Sequence, residues 1–204
     1  LTPCNSPEQV DKTIQPDTQK HNAPLFDKDM IASIVSQCQK NIAQTPAELH
    51  WSRFLTDEQY SLSLYTPQIP CETGETCVLA TAVAKLPIEK LVAFMSDANL
   101  YKNVFTSIRY MKKLESCGPN AFLYRIVVDL PFFSPREAIV LVTRRWLSPT
   151  SFMTTQHSVD HKKYSLLKGH VQLLCEHEGF IIEKIDENST RVRLYEKKKI
   201  GISM

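Results

Sequence analysis

Residues 129–146 read DLPFFSPREAIVLVTRRW, and this stretch decides the fold. Phe132 and Phe133 stand between two prolines, in a segment whose composition predicts a loop. Residues 136–146 follow at once, and their β-branched and apolar side chains predict a strand. Large apolar rings gain little from burial in a loop, so the two phenylalanines need a reason beyond local folding.

Strand patterns fill nearly all of the chain after Val104. We predict about six strands there, separated by turns at CGPN and DENS and by a bend at Gly179. The segments are SIRYMKKLES, AFLYRIVVDL, REAIVLVTRRWL, SFMTTQHSVD, LLKGHVQLLCEHEGFIIEKID and STRVRLYEKKK.

The first half of the chain is mixed. Met30, Ile34, Cys38 and Ile42 recur every four residues, which predicts an amphipathic helix. About three strands follow, and Pro87 then stands where a helix begins well, with a second short helix after it. The order predicts an α+β protein with a strongly curled antiparallel sheet of about nine strands. We expect an extended arm or linker over residues 1–26 and one domain over residues 27–204.

Composition excludes several classes of function. A net charge of +2 gives no strong field for nucleic acid, so we expect no nucleic-acid partner. No apolar run approaches the ~20 residues that span a bilayer. The chain has only five glycines and contains no glycine-rich phosphate loop. It also contains no HExxH or GxSxG motif. His157 and His161 would lie ~13 Å apart on a strand, too far to share a metal. We therefore expect no cofactor and no metal.

The chain has six cysteines without any CxxC pair. Cys71 and Cys77 bracket the turn CETGETC, so a small disulfide loop is one interpretation. Reduced thiols in a cytosolic protein are the interpretation we favour, since a chain of this size can fold without disulfide bonds.

The ordered motifs resemble those of START domains, the lipid-transfer family related to steroidogenic acute regulatory protein. The resemblance rests on VDLPFFSPREAIVLVTRRW with Pro135-Arg136-Glu137, on TTQHSVDH with Ser158-Val159, and on the final strand from Glu196 to Gly201. LPIEKLVAFMSDANLYKNVF is similar to the family's paired helices, with Tyr101 where an aromatic is usual. The resemblance covers about residues 29–204.

This resemblance implies a helix-grip fold, in which a curled sheet surrounds a long carboxy-terminal helix and encloses a lipid-sized cavity. The chain stops at KIGISM, where the family places that lid helix. We expect either that the domain is truncated there or that the lid is supplied otherwise.

The resemblance also suggests site residues. Sterol-binding members carry an acid–arginine pair on facing strands, and an ungapped count from Pro135 puts Leu123 and Val142 at those positions, without that polar anchor. We therefore favour a phospholipid or other acyl lipid over a sterol. The predicted lipid-binding residues are apolar wall positions, two arginines that could meet a headgroup, and one tryptophan: Leu123, Val127, Val140, Val142, Leu174, Arg125, Arg144 and Trp146.

The loop before the strand is predicted to contact membranes through Leu130, Phe132 and Phe133, because apolar rings gain contact at the headgroup boundary. The competing interpretation is that both rings fold back and plug the end of the sheet. The basic runs HKK at 161–163 and EKKK at 196–199 fit either an anionic lipid surface or a solvated rim.

The resemblance and the residues together predict a lipid-binding and lipid-transfer protein that is not an enzyme. Its partners would be one lipid molecule and a membrane surface, and it would act as a cytoplasmic monomer, peripheral at membranes. Two alternatives stay open: a regulatory or protein-interaction module on the same fold, and a helix-grip cyclase or hydrolase, which would need a titratable group deep in the pocket.

Overall fold

A computed structural model describes residues 26, 28–44, 46, 50–69, 71–100 and 105–200. Two helices and ten strands have both of their ends in that part of the chain. In chain order they are α1 (Lys28–Ala43), β1 (Trp51–Asp57), β2 (Leu62–Pro67), β3 (Glu75–Ala84), α2 (Ile88–Ser96), β4 (Ile108–Gly118), β5 (Ala121–Val128), β6 (Arg136–Ser148), β7 (Ser151–Ser158), β8 (Val171–Cys175), β9 (Glu178–Asp186) and β10 (Ser189–Ile200).

All ten strands form one curled sheet, so the predicted α+β class is confirmed. Nine strands follow the path β1-β2-β3-β10-β9-β7-β6-β5-β4 through antiparallel neighbours. The tenth strand, β8, pairs antiparallel with β10 and parallel with β6, and thereby bridges two strands of the path. The sheet thus has one strand more than the nine predicted.

The break between β8 and β9 lies two residues before the predicted bend. Residues 176–177 stand outside both strands, and His177 has a φ of +48°. Gly179 lies inside β9, where it allows a close approach of β7. A Cβ on Gly179 would stand 2.2 Å from the backbone oxygen of Thr154.

One face of the sheet is covered by α1, and we call it the α1 face. The predicted helix is confirmed, and its apolar side chains Ile34, Val35, Cys38 and Ile42 are buried. Met30, predicted on the same stripe, is 41% exposed. Because strands alternate, odd-numbered residues of β5, β6, β7 and β9 lie on this face; the buried ones include Leu123, Ile139, Leu141, Met153 and Ile181.

The opposite face is partly covered by α2, and we call it the α2 face. Pro87 precedes α2 as predicted, with a φ of −57°. Ile88 is buried against Phe152 and Ile182, which are even-numbered residues of β7 and β9. The rest of this face carries a second apolar cluster that includes Val140, Val142, Ile126 and Leu173. Asp97 accepts a hydrogen bond from the backbone N–H of Asn99; residues 101–104 of the predicted second helix lie outside the described residues.

Residues 1–25 of the predicted arm lie outside the described residues. Phe26, the last residue assigned to it, is buried against the α1-face cluster. The five cysteines in the described ranges are free thiols, among them Cys71 and Cys77.

Candidate functional site

A cavity of about 320 Å³ lies on the α2 face. This volume is at the lower end of the ~300–1,000 Å³ usual for ligand pockets. A small space of about 30 Å³ adjoins it beside Met95 and shares Gln156, Gly179 and Phe180 with it. The apolar wall of the main cavity is formed by Phe105, Ile108, Ile126, Val128, Leu130, Leu173, Phe180, Leu194 and Ile200.

A polar cluster interrupts this apolar wall where β7, β8, β9 and β10 meet. Glu178 begins β9 and is 1% exposed. The side-chain amide of Gln156, directly across from it on β7, donates to Glu178 Oε1. The other carboxylate oxygen, Oε2, is buried without a hydrogen-bond partner among the described residues. All these residues border the cavity.

The strand β10 contributes an ion pair to the same cluster. Lys198 Nζ lies 2.6 Å from Glu196 Oε1, since residues two apart on a strand share a face. Burial alone would lower the pKa of Lys198, but the negative charges of Glu178 and Glu196 outweigh burial and raise it. Lys198 is therefore a cation that is already neutralised by its neighbour.

Burial raises the pKa of the Glu178 carboxyl to about 7, although Lys198 and the hydrogen bond from Gln156 act in the opposite direction. The Cys175 thiol, a weak donor, is also close enough to act on this carboxyl. Burial raises the pKa of Cys175 well above its ordinary value, so this thiol is neutral. The cavity thus holds a carboxyl that changes charge near neutral pH.

The loop of residues 129–135 borders the mouth of the cavity. Leu130 lines the cavity, and the next residues turn outward. Phe132 is fully exposed and Phe133 is 67% exposed, so neither ring plugs the sheet as the competing interpretation required. The guanidinium of Arg136 lies 5.7 Å from the centre of the Phe133 ring and donates to the carbonyl of Ser134 at 2.6 Å.

Half of the predicted lipid-binding residues lie on the α2 face. Val140 belongs to its apolar cluster, and Val142 and Arg144 border the small adjoining space. The guanidinium of Arg144 packs over the rings of Phe122 and Tyr124, at 5.4 and 5.7 Å. Trp146 lies farther along β6, with its ring edge-on to Phe152 beside α2.

The other half lies on the α1 face, away from this cavity, which corrects their predicted position in its wall. Leu123 pairs across the strands with Leu141, so it cannot share a face with Val142. Arg125 and Val127 follow Leu123 in alternation, and Leu174 lies between the cavity residues Leu173 and Cys175 on β8. For the three residues of β5, the cause is that this strand is buried on both faces. Its sequence therefore does not show which residues lie on which face of the sheet.

Arg125 has a structural partner instead of a ligand. Its Nε lies 2.9 Å from Glu137 Oε1, and Glu137 is completely buried. His170 Nδ1 lies 2.7 Å from Glu137 Oε2, which also accepts from the backbone N–H of Leu167 at 3.0 Å. This network ties the segment before β8 to the sheet. Glu137 and Arg136 do not pair with each other, as expected for neighbours on a strand.

A second, more open space of about 560 Å³ borders the same segment. Its walls include Asp160, His161, Lys162 and Ser165, together with the Glu137 network. We consider it a surface groove, because it is more open than the cavity on the α2 face, with which it shares only Leu173 among the residues described.

Two short motifs of the sequence contain residues of the polar cluster. CEHE includes Cys175 and Glu178, and EKKK, which fits either an anionic lipid surface or a solvated rim, includes Glu196 and Lys198. In the structure Lys197 pairs with Glu176 at 2.8 Å and Lys199 with Glu72 at 3.1 Å, while Lys198 faces the cavity. The available signal was that two charged residues, Glu196 and Lys198, stand between Leu194 and Ile200 on one face of the strand.

Comparison with known proteins defines the fold class. No family model and no curated protein matches the chain. Solved structures do: human StAR-related lipid transfer protein 5 superposes with a TM-score of 0.74 at 12% identity, over 86% of this chain and 83% of that one. Human STARD10 gives 0.71 at 15% identity, over 91% and 73%. A STAR-related lipid transfer protein fragment from Xanthomonas axonopodis gives 0.63 at 15% identity, over 76% and 84%.

The chain therefore has the helix-grip fold of START domains, a fold that houses lipid-transfer proteins. At these identities the likeness establishes the fold. Within the described ranges no helix is long and apolar enough to cross a bilayer.

Proposed function

We propose that this protein binds one lipid in the cavity on its α2 face and transfers it between membranes. One observation carries the proposal: an apolar cavity of about 320 Å³ shares Leu130 with a loop whose phenylalanines are exposed. An apolar cavity that can hold a lipid thus adjoins an apolar loop that can dock on a membrane. The fold supports the proposal, because the solved structures that share it include lipid-transfer proteins.

The proposed mechanism begins with docking. Phe132 and Phe133 enter the boundary between headgroups and acyl chains, where aromatic rings gain apolar contact. Leu130 then lies at the membrane surface and brings the cavity mouth to the lipid. The lipid leaves the bilayer for a protein wall of similar polarity, so its carbon is spared contact with water, which would cost ~25 cal/mol per Å² of apolar surface.

The remaining features of the proposal follow from this role. The protein works as a monomer, peripheral at cytoplasmic membranes, with a lipid and a membrane surface as partners and without a cofactor. It binds its ligand without changing it chemically. A protein-interaction module on the same fold would be expected to fill its cavity with side chains, which the open volume on the α2 face argues against.

The test is native mass spectrometry of the full chain after incubation with mixed-lipid vesicles, followed by extraction of whatever is bound. We expect one lipid per protein. Leu194→Trp should abolish uptake, because Leu194 lines the cavity and its replacement fills it. Arg191→Trp is the matched control, since Arg191 is exposed on the opposite face of the same strand. No lipid adduct on the wild-type chain would refute the proposal.

One observation favours a second candidate, an enzyme. A carboxyl with a pKa of about 7 in a ligand cavity, as Glu178 has, suits a general acid or base. The same extraction separates the two candidates: a transfer protein returns its lipid chemically unchanged, whereas an enzyme returns a product.

A further inference from the structure

Glu178 is an unusual wall residue for an apolar cavity. A buried carboxyl oxygen that lacks a hydrogen-bond partner is costly, because it has lost its hydrating water and gained no donor from the protein. Glu178 Oε2 is such an atom among the residues described, and Glu178 borders the cavity. Structural needs do not explain it: an apolar residue of similar volume in this place is often neutral or stabilising.

The polar groups around Glu178 leave its Oε2 without a strong hydrogen-bond donor. The Gln156 amide donates to Oε1, and Lys198 holds Glu196 at 2.6 Å. The Cys175 thiol is only a weak donor. The cluster therefore leaves one acceptor without a strong donor, the buried Oε2 of a residue that borders the cavity.

We propose that the lipid bound here carries a neutral head with a hydroxyl or amide N–H, which donates a hydrogen bond to Glu178 Oε2. This inference rests on the proposed function and names the ligand class of the same cavity. Sterols, diacylglycerols and ceramides have such a head. Phosphatidylcholine has no O–H or N–H donor in its head. The inference therefore narrows the preference for a phospholipid or other acyl lipid, drawn from Leu123 and Val142, to acyl lipids with a donor in the head, and it admits sterols beside them.

Charge supports a neutral head over an anionic one. The cluster combines two carboxyls, Glu178 and Glu196, with one ammonium, Lys198. Arg136, a second cation at the mouth, is 5% exposed and donates to the Ser134 carbonyl, while its Nε is buried without a hydrogen-bond partner among the described residues. A phosphate placed against Glu178 would face carboxylates at close range, which is strongly unfavourable in a buried site. At neutral pH and above, where the pKa of about 7 allows ionisation, Glu178 is also the stronger acceptor.

The decisive variant is Glu178→Gln. It keeps the size of the side chain and an oxygen for the Gln156 amide, but it replaces the acceptor Oε2 with an N–H donor. A ligand that donates should bind less well, and a ligand that accepts should bind as well or better. Glu183→Gln is the matched control, because it makes the same change on the α1 face of the same strand.

The probes are three pairs of lipids presented in dioleoylphosphatidylcholine vesicles. Each pair compares a free head with a capped one: cholesterol with its methyl ether, dioleoylglycerol with its acetyl ester, and ceramide with its O,N-methylated form. Dioleoylphosphatidic acid is the anionic probe. Extraction from the vesicles is quantified by mass spectrometry. For the wild-type protein we expect at least one free head to be preferred over its capped partner by about tenfold, the value of one buried hydrogen bond.

Glu178→Gln should abolish or invert the preference for free heads, without reducing the extraction of lipids whose capped heads only accept hydrogen bonds. Glu183→Gln should leave the preference unchanged. Three results would overturn the inference while leaving lipid transfer intact: equal extraction of free and capped heads, preference for phosphatidic acid or phosphatidylcholine, or no effect of Glu178→Gln on a free-head preference. No extraction of any lipid by the wild-type protein would refute the proposed function itself.

Discussion

Phe132 occupies a backbone position that favours glycine. The backbone N–H of Phe133 donates to the carbonyl of Leu130 at 3.1 Å and closes a turn with Pro131 in its second position. Phe132, in the third position, has a φ of +68°, a conformation that costs an L-residue about 1–2 kcal/mol. Glycine is usual there in turns of this kind. A fully exposed aromatic ring on a strained backbone position does not contribute to stability, which supports a role in membrane docking.

Phe132→Gly should therefore affect stability and membrane binding in opposite directions. Relief of the backbone strain, reduced by the larger entropy of glycine in the unfolded chain, should leave the free energy of unfolding unchanged or raise it by about 1 kcal/mol. Loss of the ring should weaken binding to vesicles by about tenfold. Urea denaturation and vesicle co-sedimentation measure the two quantities.

The control for docking is Phe54→Ala, which removes another exposed ring, on β1 and away from the cavity lining. It should leave vesicle binding unchanged. If Phe132→Gly lowered stability and left vesicle binding intact, the ring would be a structural element and docking through this loop would be excluded.

Glu178 should make stability depend on pH in a direction opposite to that of an ordinary paired carboxyl. Its pKa rises from 4.5 to about 7 on folding. Between these values the folded protein holds a proton that the unfolded chain has lost, so stability decreases as pH rises through the window. The loss approaches about 3 kcal/mol above pH 7.

The measurement is the free energy of unfolding of the wild-type protein and of Glu178→Gln from pH 4.5 to 8. The difference between the two should grow with pH in favour of the variant. Taking the difference removes the contribution of His157 and His177, whose pKa values burial lowers in both proteins. A constant difference across the range would show that Glu178 is ionised throughout.

At the scale of elements, the Glu137 network fastens the segment before β8 to β6. Glu137→Gln should cost about 3–5 kcal/mol, because it leaves the Arg125 guanidinium partly buried without its counter-charge. The backbone N–H of Leu167, which donates to Glu137 Oε2, should exchange with solvent faster. Denaturant unfolding and hydrogen exchange test both consequences.

The control is Asp129→Asn, which breaks the pair with Arg109 at 2.6 Å, in which both side chains are about half exposed. An exposed pair contributes about 0–1 kcal/mol, so stability should change little. Equal losses for the two variants would contradict the special position of Glu137.

The contact of β7 with β9 depends on the absence of a side chain at residue 179. Gly179→Ala would place a Cβ 2.2 Å from the backbone oxygen of Thr154 and 2.9 Å from Cα of Thr155. Backbone atoms cannot move aside as a flexible side chain can, so we expect a loss of about 1–3 kcal/mol or more. Gly169→Ala is the comparison, since its φ of +82° is strained but its Cβ would meet open space. Urea midpoints should fall further for Gly179→Ala.

For the molecule as a whole, the sequence predicts the existence and the order of the helices and strands better than it predicts on which face of the sheet each residue lies. Turns at Gly, Pro and Asn and the period of the helix α1 are local signals, and they predicted the order of the helix and most strands, although the sheet has one strand more and the break before β9 lies two residues earlier. The phase of β5 is not local, because residues such as Leu123 and Tyr124 are both buried, one on each face of the sheet. The polar cluster joins Gln156, Glu178 and Lys198 across neighbouring strands, so it depends on registers that no single segment encodes.

Ligand binding should stabilise the whole molecule, because a lipid in the cavity contacts β5, β8, β9 and β10 together. A ligand at a hundred times its Kd adds about 2.7 kcal/mol to the free energy of unfolding. For a domain of this size, that corresponds to an increase in Tm of about 5–10 °C. A thermal melt with the best-extracted lipid should show this increase for the wild-type protein and for Arg191→Trp, and none for Leu194→Trp. An equal increase for Leu194→Trp would place the lipid outside the cavity, on the exposed apolar surface.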